Sequence, residues 1–228
     1  MSNPPARILF VITNTDQIGP HQRATGYEFS EVAQPYMAFR AEGHEVEFAS
    51  LKGGQPPEDG YDPNDSASRI FRASSGFKRV QQSLRLADLK LDAYDAILFP
   101  GGLGPMVDMA HTRLVKQVIA MVFESGRPVG AVCHGSAALL NVDLSDGSQL
   151  LKGRKVTCFT EAEEQGHSLE DVPFMLDAEL VAQGALHSCA APYAPHVVVD
   201  GLLVTGQNPA SSAGVALAMS QLLGNLGP

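Results

Sequence analysis

The stretch Pro128–Leu140, PVGAVCHGSAALL, sets a thiol beside an imidazole where a short apolar run gives way to a helix-forming one. Val129–Val132 has the composition of a strand buried on both faces, and Ser136–Leu140 can begin a helix. A cysteine at that junction would stand on a sharp turn above the carboxyl end of a sheet, where open α/β folds bind ligands. So crowded a turn needs small residues two positions to either side, and Ala131 and Gly135 supply them. The following helix would direct its N-terminus at the sulfur and favour the thiolate, the reactive form. Cys133 is therefore a candidate nucleophile; the competing reading is a cysteine packed as a small hydrophobe.

A second junction follows the same logic. In AILFPGGLGPMVDM a strand runs into Gly101-Gly102-Leu103-Gly104-Pro105, and backbone N–H groups exposed there could bind an oxyanion. The spacing is neither the dinucleotide fingerprint nor a Walker loop, and a tight turn alone would also explain it.

The elements that must carry these residues alternate along the chain. Strand-length apolar runs occur at Arg7–Thr13, Glu45–Ser50, Asp95–Pro100, Pro128–Cys133, Lys155–Phe159, His196–Val199 and Leu202–Thr205. Helical spacing marks Gly26–Ala41, Thr112–Ser125, Ser136–Leu140 and Pro209–Leu223. The alternation predicts an α/β three-layer fold with a mostly parallel sheet. Asp200-Gly201 between two β-rich runs predicts a hairpin near the C-terminal end, and hence one antiparallel pair. Asn208-Pro209 has the form of a helix cap and first turn. Lys52–Ser68, rich in Gly, Pro and Asp, reads as a surface loop within a single domain over residues 1–228 rather than a domain linker.

Composition narrows the partners. A formal net charge of −9 on 228 residues, without a basic stretch, argues against nucleic acid and anionic membrane. No apolar run has membrane-spanning length, and the N-terminal run reads as a first strand rather than a leader. Three cysteines are too few for a disulfide framework, which suits a reducing, cytoplasmic setting.

Together FPGGLGPMVD, AVCHGSAALL, KGRKVTCFTEAEE and APHVVVDGLLVTGQNPASS resemble the ThiJ/PfpI superfamily, and within it the small heat-shock proteins with glyoxalase III activity. The resemblance runs from about Arg7 to Leu223. It implies a flavodoxin-like sandwich and a cofactor-free, metal-free, glutathione-independent glyoxalase that converts methylglyoxal to lactate through a hemithioacetal. In that case Cys133 is the nucleophile, His134 its acid/base partner, Glu164 the group orienting the imidazole, and Glu31 the carboxyl at the sulfur. The Gly102 and His134 amides would bind the oxyanion, with Gly101, Leu103 and Tyr193 around the substrate. A homodimer acting on a small reactive aldehyde is the expected assembly. Protein deglycation, a stress chaperone or redox-sensor role, and isocyanide hydration on the same nucleophile are the alternatives.

Read without the resemblance, Glu31 could be a solvated helix residue. Glu161, Glu163, Glu164 and His167 could form a solvated turn or a weak metal cluster, and His187 with Cys189 could be a ligand pair. His196 reads as a structural hydrogen-bonder. The chain departs from the glyoxalase pattern at Leu103, a usual histidine, at Val107 and Tyr193, usual tryptophans, at Ser136, a usual proline, and at Cys158, a usual glycine.

Overall fold

The computed structural model describes residues 5–226; residues 1–4 and 227–228 of the expected 1–228 domain lie outside them. Seven strands form one sheet in the order Val197–Asp200, Leu203–Gly206, Val129–Val132, Ala96–Phe99, Arg7–Ile12, Glu45–Ser50 and Leu84–Arg85. Every pairing is parallel except the first, the hairpin that turns at Asp200-Gly201 with Gly201 at φ +58°.

The strands are apolar without alternation because both faces are covered. Ile8, Phe10 and Ile12 join the core beneath the helices Phe29–Ala41 and Ser212–Leu226, through Phe29, Val32, Phe39, Val215 and Met219. Leu9 and Val11 join the opposite core, beneath the helix Arg113–Glu124, whose Val115, Val118, Ile119 and Val122 face inward. One strand thus feeds two cores with alternate residues, which is the three-layer flavodoxin-like sandwich.

Several expectations need correction. Of Lys155–Phe159 only Lys155–Val156 is a strand, and it pairs with Leu186–His187 outside the main sheet. The Thr157 N–H is taken by the Thr205 hydroxyl, which leads the chain away from the ladder and into the helix Glu161–Glu164. The helix expected at Ser136–Leu140 is instead a 3₁₀ helix over Cys133–Leu139, so winding begins at the cysteine itself. Seven tight residues then end in extended backbone at Leu140. The last helix begins as a 3₁₀ turn, Pro209–Ser211; Asn208 occupies the cap position, but its amide nitrogen donates to Glu163 and the Ala194 carbonyl and its Oδ1 accepts from the Ser211 hydroxyl rather than from a helix N–H.

The Lys52–Ser68 stretch is more than a surface loop. Glu58–Asp59 pairs with Tyr27–Glu28, and the Tyr27 N–H donates to the Pro57 carbonyl. Asp65 caps a helix over Ser66–Arg72. Two-residue edge strands such as Leu84–Arg85 carry too little pattern to be read from sequence.

The excursion is seated against the start of the first helix because Gly26 has no side chain. A Cβ there would lie 2.3 Å from the Pro57 oxygen. Gly26→Ala is expected to lose about 1–3 kcal/mol, as overpacked sites do. A thermal melt measures it: a Tm equal to wild type would show that the excursion is not seated there.

Candidate active site

The Val129–Val132 strand ends at Cys133, whose φ of +57° lies in the left-handed region. For a residue with a Cβ this strain costs on the order of 1–3 kcal/mol and persists only where the surroundings enforce it. The enforcement is steric. A Cβ at Gly135 would come within 2.2 Å of the Phe99 oxygen, so the chain after the cysteine lies directly against the neighbouring strand's end. The turn delivers Cys133 to the carboxyl end of the sheet beside the Gly101-Gly102 loop, which follows that strand. Gly102 itself is left-handed at φ +87°, and a Cβ there would lie 2.3 Å from the Gly26 oxygen. Its N–H donates to no protein acceptor among the described residues.

His134 follows with its Nδ1 3.3 Å from the Cys133 Sγ and its Nε2 2.6 Å from Glu164 Oε1. The other Glu164 oxygen accepts from the Ser168 hydroxyl. Burial raises the Glu164 pKa, but the bonds from His134 and Ser168 outweigh it, and the carboxyl stays below its ordinary range. A carboxylate acceptor at Nε2 places the ring proton there, so the Nδ1 lone pair faces the sulfur. Phe159 covers the ring at a centroid distance of 4.6 Å and holds water off it.

Glu31 lies on the other side. It sits in the first turn of the Phe29–Ala41 helix, fully buried, and one oxygen accepts the Gly101 N–H at 2.7 Å. The other oxygen has no hydrogen-bond partner. Burial, and then the charge of Glu28, push the Glu31 carboxyl well above its ordinary range, so it holds its proton. Glu28, the cap of the same helix, is itself raised to about 7, chiefly by burial.

Cys133 is only 3 % exposed. Burial first, and then the neighbouring Glu31 carboxyl, push its thiol well up; the backbone N–H of His134 opposes them. The sequence-based expectation of a thiolate stabilised by a helix N-terminus is therefore corrected: the following turn is a short 3₁₀ segment, and burial outweighs it. Proton removal by imidazole, facing a protonated Glu31, is what this geometry offers instead.

Of the surrounding residues, Gly101 and Gly102 are at the site, but Leu103 turns inward and is buried in the core with Ile18 and Met106. Tyr193 is at the rim, 54 % exposed with φ +62°, its ring 6.3 Å from that of Phe159. Val107 is exposed, and Ser136 and Cys158 are buried. His196 bonds the Ser188 hydroxyl, a structural role, and His187 Nε2 lies 3.9 Å from the Cys158 sulfur.

Sequence reasoning missed Ser168, and it read Glu163 as part of a solvated turn or weak metal cluster, whereas Glu163 is fully buried. Ser168 stands four residues after Glu164, a helical spacing that could have shown it. Glu163 closes a capping box with Thr160, legible as T-x-x-E, and its carboxylate also accepts from Tyr193 N and Asn208 Nδ2. Burial opposes its ionisation, yet these donors hold it below its ordinary range.

The fold and this geometry define a class: open α/β proteins that present a cysteine on an elbow at the carboxyl ends of a parallel sheet. Within it, the chain belongs to the DJ-1/PfpI family, whose signature matches residues 23–222. Glyoxalase 3 of Candida albicans is 30% identical over 211 residues, covering 85% of this chain and 88% of the relative. Glutathione-independent glyoxalase HSP31 of Saccharomyces cerevisiae is 26% identical over 97% of this chain and 99% of its own. Among solved structures, Rapid Encystment Protein 24 KDa of Francisella tularensis superposes with a TM-score of 0.91 at 32% identity, covering 96% of this chain and 99% of that one. The Candida albicans glyoxalase III structure gives 0.87 at 25%, covering 95% and 97%.

The raised carboxyl of Glu31 has a consequence for stability. The folded state binds that proton more tightly than the unfolded chain, so its contribution is fully present at low pH and is lost as pH rises above the ordinary carboxylate range. Glu31→Gln keeps an acceptor for Gly101 and removes the titration. Its Tm relative to wild type is expected to rise as pH increases above the ordinary carboxylate range. A difference independent of pH would mean that Glu31 is not held protonated.

Proposed function

We propose that this protein is a glutathione-independent glyoxalase, converting methylglyoxal and water to lactate at Cys133. The observation that carries the reading is the buried line Glu164–His134–Cys133 with Glu31 and the Gly101-Gly102 loop beside Cys133. The names of the relatives that match nearly the full chain support it.

The reaction follows from the arrangement. His134 Nδ1 takes the thiol proton as sulfur attacks the aldehyde carbon, forming a hemithioacetal. The alkoxide is received by the Gly102 and His134 N–H groups. The imidazolium returns its proton to that alkoxide, and the freed Nδ1 then takes the C1 proton as the C2 carbonyl oxygen is protonated, giving an enediol; a proton is delivered to C2 as the C1 hydroxyl loses its own, with the Glu31 carboxyl placed to share the transfer. The product is a lactoyl thioester. Water, deprotonated by His134, adds to its carbonyl and expels the thiol, releasing lactate. Water is the one co-reactant, and no cofactor takes part.

Glu164 keeps the correct tautomer throughout, and Ser168 fixes Glu164. Tyr193 and Phe159 form the rim on the imidazole side, while Leu103 supports the loop from beneath. A single domain, a homodimer and a cytoplasmic setting complete the proposal.

Cys133→Ala is expected to reduce methylglyoxal consumption to the uncatalysed rate. Glu164→Gln, which removes the charge that holds the tautomer, should lower kcat by about 10²–10⁴-fold. A time course of methylglyoxal loss with chiral lactate detection measures both. Wild-type turnover by Cys133→Ala would sink the mechanism.

A further inference from the structure

The two loops that supply the oxyanion site have no covalent reason to keep a fixed spacing. Gly101-Gly102 continues into the short helix Pro105–Asp108, and Cys133-His134 into the 3₁₀ helix Cys133–Leu139. Both helices end in the core, where the carbonyls of a last turn have no intrahelical partner. Met109, Ala137 and Ala138, which close them, are fully buried.

Their carbonyls converge on one ammonium. Lys116 Nζ donates to Ala138 O at 2.9 Å, to Met109 O at 3.0 Å and to Ala137 O at 3.4 Å. The Met109 and Ala138 oxygens accept no other N–H from outside the helices among the described residues. Lys116 sits on the helix Arg113–Glu124 beside Val115, which is anchored in the core. The side chain lines a cavity of about 1020 Å³ together with Leu86, Leu91, Leu114 and Met121. Burial pushes its amine down to about 7, while three carbonyl acceptors at helix C-termini favour the charged form.

We propose that Lys116 is a positioning residue: its ammonium clamps the ends of the two short helices together and so fixes the distance between the Gly102 and His134 N–H groups. It touches neither substrate nor sulfur. Its effect is confined to steps that place negative charge on oxygen, where a misplacement near 1 Å costs up to about 10²-fold. The proposal rests on Cys133 acting as a nucleophile with an oxyanion site.

Lys116→Met keeps the stem and removes the donor, and Lys116→Arg restores a donor with room in the cavity for the larger head. Three rates are compared with wild type: methylglyoxal turnover, acylation of Cys133 by p-nitrophenyl acetate, and alkylation of Cys133 by iodoacetamide. Acylation passes through a tetrahedral oxyanion, whereas alkylation is a direct displacement by sulfur. In Lys116→Met, kcat and the acylation rate are expected to fall between about 10- and 100-fold. KM and the alkylation rate should stay within about 2-fold, and Lys116→Arg should recover most of the loss. Equal losses in all three rates would show general disruption, and unchanged turnover and acylation would show no positioning; either overturns the clamp. If wild type is acylated but leaves methylglyoxal untouched, the glyoxalase reading fails and the ester still tests the clamp. Wild type inert toward both would overturn both.

Discussion

The site is organised by the cost of placing negative charge in a buried space that offers few donors. Glu31 receives one backbone N–H on one oxygen and nothing on the other, beside an almost fully buried thiol. Two anions in contact there would be prohibitive, so the pair holds at most one. Glu163 and Glu164, equally sheltered, are ionised because hydroxyl, amide and imidazole donors surround them. Three glutamates of one site are thus sorted into one acid and two carboxylates by the number of donors each meets. The acid faces the sulfur, one carboxylate faces the imidazole, and the other ties the Tyr193 loop and Asn208 to the helix that carries Glu164. Protonation state, rather than residue type, gives each its task.

This sorting depends on the sheet. Ala96–Phe99 and Val129–Val132 are neighbours, in register from Ile97↔Val129 to Phe99↔Ala131, so the two loops leaving their carboxyl ends emerge side by side. The first helix, which follows the Tyr27–Glu28 strand, brings Glu31 over that end, and the Gly101 oxygen accepts the Glu28 N–H. The strain at Cys133 is borne by this packing. A left-handed cysteine at a strand end is unfavourable alone, and here Gly135, lying against Phe99, admits no looser turn. Parallel pairing, close approach and strain therefore form one device.

How far this was legible in the sequence follows from where the information resides. The central strands were readable because burial on both faces leaves unbroken apolar runs, and the hairpin because Asp200-Gly201 has few other uses. The elbow was readable from Ala131, Cys133 and Gly135. The short 3₁₀ turn was not, since the period of five residues does not distinguish it from an α-helix. Lys155–Phe159 has strand composition throughout, and only the tertiary bond from Thr157 to Thr205 cuts it short. Leu103 was assigned to the substrate wall by its place in a motif, but a leucine at the end of the glycine loop gains more by burial than by facing the site. The position was legible; the direction of the side chain was not.

The same physics bears on the redox-sensor alternative, whose premise is an exposed thiol of low pKa. Cys133 is buried, and its thiol is pushed up chiefly by that burial. Peroxides attack the thiolate, so burial that disfavours the thiolate works against that reaction. In the proposed reaction the thiol ionises as imidazole removes its proton, a step coupled to carbon–sulfur bond formation when an aldehyde lies over sulfur and the Gly102 N–H. On that reading the free thiolate is short-lived, and the site favours electrophiles that develop an oxyanion over those that do not. Carbonyl compounds do so, which makes the burial that suppresses the thiolate a source of selectivity rather than an obstacle to catalysis.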